Sequence, residues 1–253
     1  MTQAAAEQIS LEQAMNRLPA SRAWTRAILQ RIRGIIRVEH GMRVLDIGAA
    51  QGRGLVELVE QGFEAYGVEP WEPAREVANQ LAEHMDLSFD IRPGHAEDIP
   101  FSDGYFDIII AMGVMEHVTD LNKSLKEIHR VLKPGGVFWF NSASAMCPKQ
   151  DEIRGFPFFG WYPDRLKKVI MHWAIDHRPH LIGHTKMPAI HWWTNRVAER
   201  RLREAGFGRV WTRWELRQEN EGSKGKQLVV KNVKRSRTLQ RLFDTVVMGC
   251  SYA

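Results

Sequence analysis

The stretch VLDIGAAQGRG, residues 44–54, decides the fold of this chain. It begins inside a short apolar strand, RVLDI at Arg43–Ile47, and continues as a turn of small residues that leads into a helical stretch at 55–61. Such a turn lets backbone approach a ligand closely, and the helix that follows offers unpaired N–H groups to a negatively charged group. Gly48 and Gly52 supply the small residues, so we expect a ligand at this turn.

Strands and helices alternate outward from this stretch. The further predicted strands lie at 65–68, 88–92, 106–112, 137–141, 209–216 and 227–233. The predicted helices that accompany them lie at 55–61, 72–84, 121–132 and 194–205. FDIIIAM at 106–112 is apolar throughout, which is typical of a central strand in a parallel sheet. The pattern predicts an α/β fold: a doubly wound, mostly parallel, seven-stranded sheet with helices on both faces and a ligand outside the carboxyl ends of the strands.

The length of 253 residues, of which 44% are hydrophobic, predicts a single domain spanning residues 1–253. Residues 1–40 are predicted to form an N-terminal helical cap, in which Pro19 separates two helices. Two cysteines are too few for a disulfide framework, and no apolar run reaches 18 residues. We therefore expect a cytoplasmic protein without a membrane span.

An acidic residue ends the second strand. Glu69 follows Gly48 by 21 positions and is placed to accept hydrogen bonds from both hydroxyls of a ribose. Nicotinamide and flavin enzymes share these two features, so the spacing of the glycines must discriminate. A GxGxxG pattern that began at Gly48 would need glycines where Ala50 and Arg53 stand. The sequence therefore disfavours a dinucleotide cofactor.

Five motifs extend this pattern across about ninety residues. They are VLDIGAAQGRG at 44–54, YGVEP at 66–70, GHAEDIPFSDGYFDIII at 94–110, MEHVTD at 115–120 and RVLKPGG at 130–136. With these motifs the chain resembles the class I S-adenosylmethionine-dependent methyltransferases, in particular the small-molecule group that includes the quinone-ring methylases. The resemblance implies S-adenosyl-L-methionine as cofactor and S-adenosyl-L-homocysteine as product.

The resemblance also implies roles for residues around the methionine portion of the cofactor. Gly48 and Gly52 would pass along that portion, and Asp46 would help to hold its amino group. The carbonyl of Met112 would accept from the same ammonium.

Other residues are implied for the nucleoside. Glu69 would bind the ribose, and Pro70 and Trp71 would lie beside the adenine. Ala96 and Glu97 would border the adenine edge.

The acceptor side is expected in the insertion at 142–193, an aromatic substrate lid. Its many aromatic residues suggest a flat, apolar acceptor, or else form a small core of the lid itself. A histidine whose pKa is near neutral suits a general base, which makes His117, His180 and His191 candidates. No metal is predicted, because no cysteine pair or HExxH pattern accompanies the histidines.

The final third of the chain is basic. Residues 196–241 hold fourteen Lys or Arg against five Glu, which indicates a solvated face, a nucleic-acid surface or a lipid surface. Residues 234–253 are predicted to carry an amphipathic helix at 237–248 that packs on its own domain, forms a homodimer or makes a peripheral membrane contact. A nucleic-acid partner is not expected, because the Asn/Asp-Pro-Pro-aromatic motif of nucleic-acid nitrogen methylases is replaced by AMGVMEH.

Three functions remain open at this stage. The first is O- or C-methylation of a small aromatic, quinone-like or lipid-linked acceptor. The second is methylation of RNA or protein with the basic C-terminal third. The third is an enzyme that binds S-adenosylmethionine without transferring its methyl group.

Overall fold

The computed structural model describes residues 9–145, 153–182, 189–216, 224–236, 238–240 and 249–252. The chain divides into two compact units, where the sequence predicted one domain. Unit 1 comprises Met1–Ile110 with Arg130–Phe138, and unit 2 comprises Ala111–His129 with Trp139–Ala253.

The elements follow one another in an α/β order. The helices of the described residues are α1 Leu11–Ile32, α2 Arg53–Glu60, α3 Glu72–His84, α4 Leu121–Val131, α5 Asp164–His177, α6 Asn195–Glu204, α7 Arg213–Leu216 and α8 Lys224–Arg235. The strands are β1 Arg43–Ile47, β2 Glu64–Val68, β3 Asp90–Arg92, β4 Phe106–Met112, β5 Leu132–Ala143 and β6 Gly249–Tyr252. No helix among these is long and apolar enough to cross a bilayer.

The strands form one sheet in the order β3-β2-β1-β4-β5-β6. β2 runs parallel to both of its neighbours β1 and β3, whereas β6 runs antiparallel to β5. This confirms the Rossmann-like α/β prediction. The described residues contain six strands, however, and not the predicted seven. The central position of β4 also agrees with its sequence, since Phe106, Ile108 and Ile109 are all fully buried.

The two strands predicted at 209–216 and 227–233 are wrong. These segments contain the helices α7 and α8. Along α8, Val230 and Val233 are buried while Leu228 and Val229 are exposed. Buried residues three positions apart are typical of a helix. A short apolar run in the sequence does not by itself distinguish a helix from a strand. The sheet instead gains β6 at Gly249–Tyr252, beyond the helix predicted at 237–248. Of that helix at 237–248, residues 237 and 241–248 lie outside the described part of the chain.

The predicted break at Pro19 is also wrong, because α1 continues through it. Ser10 caps this helix by accepting from the Gln13 amide at 3.2 Å. Pro19 is exposed, so water can reach the backbone carbonyl whose hydrogen bond it removes. The helix is held on both sides of the proline by buried residues, namely Ala14, Leu18, Ile28, Leu29 and Ile32.

Candidate functional site

The turn after β1 has an unusual backbone. Gly48, Ala50 and Gly52 have φ values of 72°, 47° and 70°, in the left-handed region. This conformation costs free energy at Ala50, which is not a glycine. The amides of Gly48 and Ala49 both donate to the carbonyl of Val68, at 2.8 and 3.2 Å. The end of β2 therefore fixes the turn before any ligand binds.

Glu69 lies against this turn and is 8% exposed. Its Oε2 accepts from the Ala50 amide at 2.9 Å, and its Oε1 accepts from the Trp71 amide at 2.9 Å. A carboxylate has about four lone-pair positions, so each oxygen can accept one further hydrogen bond. The two backbone amides thus orient the group while leaving it able to bind paired hydroxyls. The residues present are therefore compatible with a ribose, and the binding of a ribose by Glu69 stays a prediction.

Asp46 is the second carboxyl group of unit 1 that the sequence assigned to the cofactor. Burial raises the pKa of Asp46 to about 7, and the nearby Glu69 carboxylate adds to this effect. A cationic neighbour stabilises the ionised form of a carboxyl whose pKa is raised, and the ammonium of S-adenosylmethionine would be such a neighbour.

The sequence reasoning missed Gly54. A Cβ at this position would lie 2.8 Å from Oδ2 of Asp46, so only glycine leaves room for that carboxyl in its present place. The motif VLDIGAAQGRG contained the signal, since its last glycine lies eight positions beyond Asp46.

Gly52 has a structural role that is independent of any ligand. It precedes α2 as the N-cap, and a Cβ there would lie 2.9 Å from the Cβ of Ala78 and 3.0 Å from the ring of Phe89. Close packing of the turn on α3 therefore requires glycine at this position. Its contact with the methionine portion of the cofactor stays a prediction.

The predicted adenine residues also lie in unit 1. Pro70 is exposed, and Trp71 is 45% exposed at the N-terminus of α3, where its ring is available to an apolar ligand. Buried Ala96 and half-buried Glu97 occupy the middle of a tight turn, closed by a hydrogen bond of 3.0 Å from the Asp98 amide to the His95 carbonyl. Their contacts with adenine remain predictions.

In unit 2, the loop after β4 carries further candidate residues. Met112 is half-buried at the end of the strand, and the next residue, Gly113, adopts a φ of 66°. The Gly113 amide donates to Oδ1 of Asn141 at 2.7 Å, which fastens this loop to β5. The carbonyl of Met112 keeps its predicted role toward an ammonium.

Glu116 is a candidate that sequence reasoning missed. It is 7% exposed, and its Oε2 accepts from the hydroxyl of Ser142 at 2.7 Å. Burial raises the pKa of Glu116, and the hydrogen bond from Ser142 opposes part of that rise. Its backbone carbonyl accepts from the amides of Ile190 and His191 at 2.7 and 3.1 Å. The motif MEHVTD contained a signal, because it places an acidic residue shortly after a buried strand. The sequence prediction named only the neighbouring His117.

The three candidate histidines differ in their surroundings. His191 is half-buried, and its Nε2 lies 2.9 Å from the Val118 carbonyl, which can only accept. Nε2 therefore carries the proton, and Nδ1 is the nitrogen that can accept one. Burial lowers the pKa of His191, which keeps the ring neutral at pH 7. His117 is half-buried, whereas His180 is exposed on the 3-10 turn Pro179–Leu181.

The acidic and histidine residues do not assemble into a metal centre. Within the described residues, no group of three or more His, Cys, Asp or Glu is arranged to hold an ion.

Comparison with known proteins identifies the domain. Residues 45–140 match the family model of the methyltransferase domain. Over 145 residues the chain is 37% identical to the ubiquinone biosynthesis O-methyltransferase of Bradyrhizobium diazoefficiens, a match that covers 52% of this chain and 57% of that protein. The matched stretch spans about half or less of the curated relatives' length.

Two solved structures share the fold over most of this chain. Phosphoethanolamine N-methyltransferase 2 of Haemonchus contortus, in complex with S-adenosyl-L-methionine, aligns with a TM-score of 0.57 at 17% identity and covers 90% of this chain and 51% of that one. The [4+2]-cyclase SpnF aligns with a TM-score of 0.55 at 17% identity and covers 91% of this chain and 79% of that one. Such identities show the fold alone. The domain match and the shared motifs show that residues 45–140 form a class I S-adenosylmethionine-dependent methyltransferase domain.

Proposed function

We propose that this protein transfers the methyl group of S-adenosylmethionine to oxygen or carbon of a small acceptor that is aromatic, quinone-like or lipid-linked. The observation that carries the cofactor half of this proposal is the Glu69 carboxylate, held between the amides of Ala50 and Trp71. Asp46, whose pKa burial raises to about 7, supports it by providing a partner for the cofactor's positive charge.

Methyl transfer requires little covalent chemistry from the protein itself. Bound S-adenosylmethionine supplies a methyl group on a positively charged sulfur, and an oxygen or carbon nucleophile displaces that sulfur in line. The chain has to position the acceptor, exclude water and take up the acceptor's proton.

Glu116 suits the proton-accepting role in unit 2. A buried carboxyl with a raised pKa is a stronger base than an exposed one. Ser142 orients its Oε2, so the group is fixed rather than free to rotate. His191 is the next candidate, because its neutral ring presents Nδ1 as an acceptor. His117 and His180 remain candidates without such support.

The acceptor class rests on the insertion at 142–193 and on the relatives. Part of the insertion has a core of its own, in which Phe159 and Trp192 are buried together with Ile153, Met171 and Ala174. Phe156 and Tyr162 are only partly buried against this core. We propose that the insertion forms the lid over an apolar acceptor. The name ubiquinone biosynthesis O-methyltransferase, carried by a relative, agrees with a ring-bearing, lipid-linked molecule.

The alternatives make different predictions about the product. A methyltransferase for RNA or protein would label a macromolecule, and an enzyme that does not transfer the methyl group would label nothing. The alternative without methyl transfer is kept because SpnF, a protein named for a cyclisation, has the same fold.

The experiment supplies the protein with S-adenosylmethionine labelled in its methyl group, together with a cell extract separated into solvent-soluble molecules, RNA and protein. We expect label in the solvent-soluble fraction, and none when Glu69→Ala replaces the unaltered protein. Label in RNA or protein would contradict the proposed acceptor. Cofactor binding without label in any fraction would contradict methyl transfer itself.

A further inference from the structure

The described part of unit 2 has a concentration of large exposed apolar side chains. Five of them occur within sixteen residues, and we call them the aromatic face: Phe158, Trp161, Leu166, Val169 and Trp173, with exposed fractions of 62%, 60%, 46%, 64% and 42%. Single exposed apolar residues are ordinary on protein surfaces, but a contiguous group marks an interaction site.

The geometry of α5 directs this face outward. Lys167, Met171 and Ala174 are the residues by which the helix is buried. Leu166, Val169 and Trp173 are three and four positions apart, on the side away from those buried residues. These three residues therefore form a stripe along the exposed side of the helix.

Two further exposed rings precede α5 in the sequence. The rings of Phe158 and Trp161 stack with centroids 5.9 Å apart and an angle of 18° between their planes. The Trp161 amide donates to the Phe158 carbonyl at 2.9 Å, so a tight turn holds both rings. Phe158 has a φ of 56°, an unfavourable conformation for a phenylalanine. The turn and the stacking thus hold both rings, and more than half of each side chain is exposed.

The charged residues of the segment that carries the face are mostly positive. In residues 153–182, Lys167 pairs with Asp164 at 2.8 Å, which leaves a single further carboxylate, Asp176. Against it stand four further cations, all at least partly exposed: Arg154, Arg165, Lys168 and Arg178. The surface is thus complementary to a negatively charged partner.

We propose that the aromatic face docks onto the surface of an anionic lipid bilayer. Trp and Phe prefer the boundary between headgroups and acyl chains, and Lys and Arg beside them attract anionic headgroups. Leu166 and Val169 fit acyl chains but cannot stack on nucleic-acid bases. A second copy seated on the same face would bring the cations of the two copies together, which opposes self-association. The proposal does not depend on methyl transfer.

The test measures sedimentation of the full chain with two kinds of vesicle, one of phosphatidylcholine alone and one containing about 30% phosphatidylglycerol. We expect the protein to sediment with the anionic vesicles and to be released by salt. Trp161→Ser should weaken this binding about tenfold or more, because it removes a large apolar group from the contact. The matched control is Trp24→Ser on α1, since Trp24 is 61% exposed and lies outside the face. It should bind like the unaltered protein.

The charge arm uses Lys168→Glu with Lys126→Glu as control, because Lys126 is an exposed lysine on α4. Each reversal changes the charge by two, so Lys168→Glu should weaken binding to anionic vesicles roughly 10- to 30-fold and Lys126→Glu should not. Thermal unfolding confirms that each variant is folded.

Three results would overturn the proposal. One is absence of sedimentation with anionic vesicles, and another is an equal loss from Trp24→Ser and Trp161→Ser. The third is that Trp161→Ser instead dissociates a dimer in analytical ultracentrifugation, or abolishes binding to single-stranded RNA, while vesicle binding is unchanged. That result would assign the face to a second copy or to nucleic acid.

Discussion

The turn after β1 and the loop after β4 each hold a nearly buried glutamate, but the two are held differently. Glu69 is bonded through both oxygens to backbone amides. Glu116 is bonded to the side-chain hydroxyl of Ser142, and burial raises its pKa. Two backbone amides hold both oxygens of Glu69 in place, whereas the raised pKa makes the Glu116 carboxylate a stronger base than an ordinary one. The comparison suggests that the first glutamate binds and the second accepts a proton.

The largest effect is expected from the binding glutamate. Glu69→Ala should weaken S-adenosylmethionine binding roughly a thousandfold, because two charge-assisted hydrogen bonds to the ribose are lost. Glu69→Gln keeps the size of the side chain, so its affinity for S-adenosylmethionine should lie between those of the unaltered protein and Glu69→Ala. Calorimetry measures the affinity, and thermal unfolding checks the fold. A folded Glu69→Ala protein that binds as before would remove this residue from the site.

The proton-accepting glutamate should show the opposite pattern. Glu116→Gln should lower kcat roughly a hundredfold while cofactor affinity stays nearly unchanged, because it removes a base and leaves the volume in place. Ser142→Ala removes the hydrogen bond that lowers the pKa of Glu116. It should therefore move the acid limb of the kcat profile to higher pH. Normal kcat in Glu116→Gln, with the profile unmoved in Ser142→Ala, would leave Glu116 a structural role only.

A smaller effect is expected from Asp46, whose pKa is about 7. Ionisation prepares it for the ammonium of the cofactor, so affinity should rise about eightfold between about pH 6 and about pH 7.5. In the free protein the sign is reversed. The folded state holds this proton more tightly than the unfolded state, so the free energy of unfolding falls as pH rises from about 4 to about 7. Asp46→Asn should remove both dependences, and an unaltered pH dependence would exclude Asp46 as their source.

Substitutions at Gly52, the N-cap of α2, and at Gly54, in its first turn, should have different effects. Gly54→Ala would press on Oδ2 of Asp46 and should weaken cofactor binding several-fold with little loss of stability. Gly52 has a φ of 70°, and a Cβ there would clash with Ala78 and Phe89. Gly52→Ala should therefore lower the free energy of unfolding by about 1–3 kcal/mol. Denaturant unfolding and calorimetry on both variants test this. Loss of stability in Gly54→Ala, with weaker cofactor binding in a stable Gly52→Ala, would contradict these roles.

The sequence allowed the turn and Glu69 to be predicted because the relevant contacts are local or lie at the ends of neighbouring strands. Glu116 depends on Ser142, 26 positions away, and on the segment at Ile190, so no local pattern revealed its burial. The misassigned helix α8 shows a related limit. Its apolar run fits a strand as well as a helix until the tertiary fold decides which side is buried.

Residues 143–145 and Trp193 give the insertion a further property. The Ala145 amide donates to the Trp193 carbonyl at 2.8 Å, and the Trp193 amide donates to the Ala143 carbonyl at 2.9 Å. The chain thus leaves β5 and returns to it at nearly the same point. A segment whose two ends are fixed side by side can change in length and composition at little entropic cost. The insertion can therefore vary in length and composition while β5, which carries both of its ends, stays unchanged.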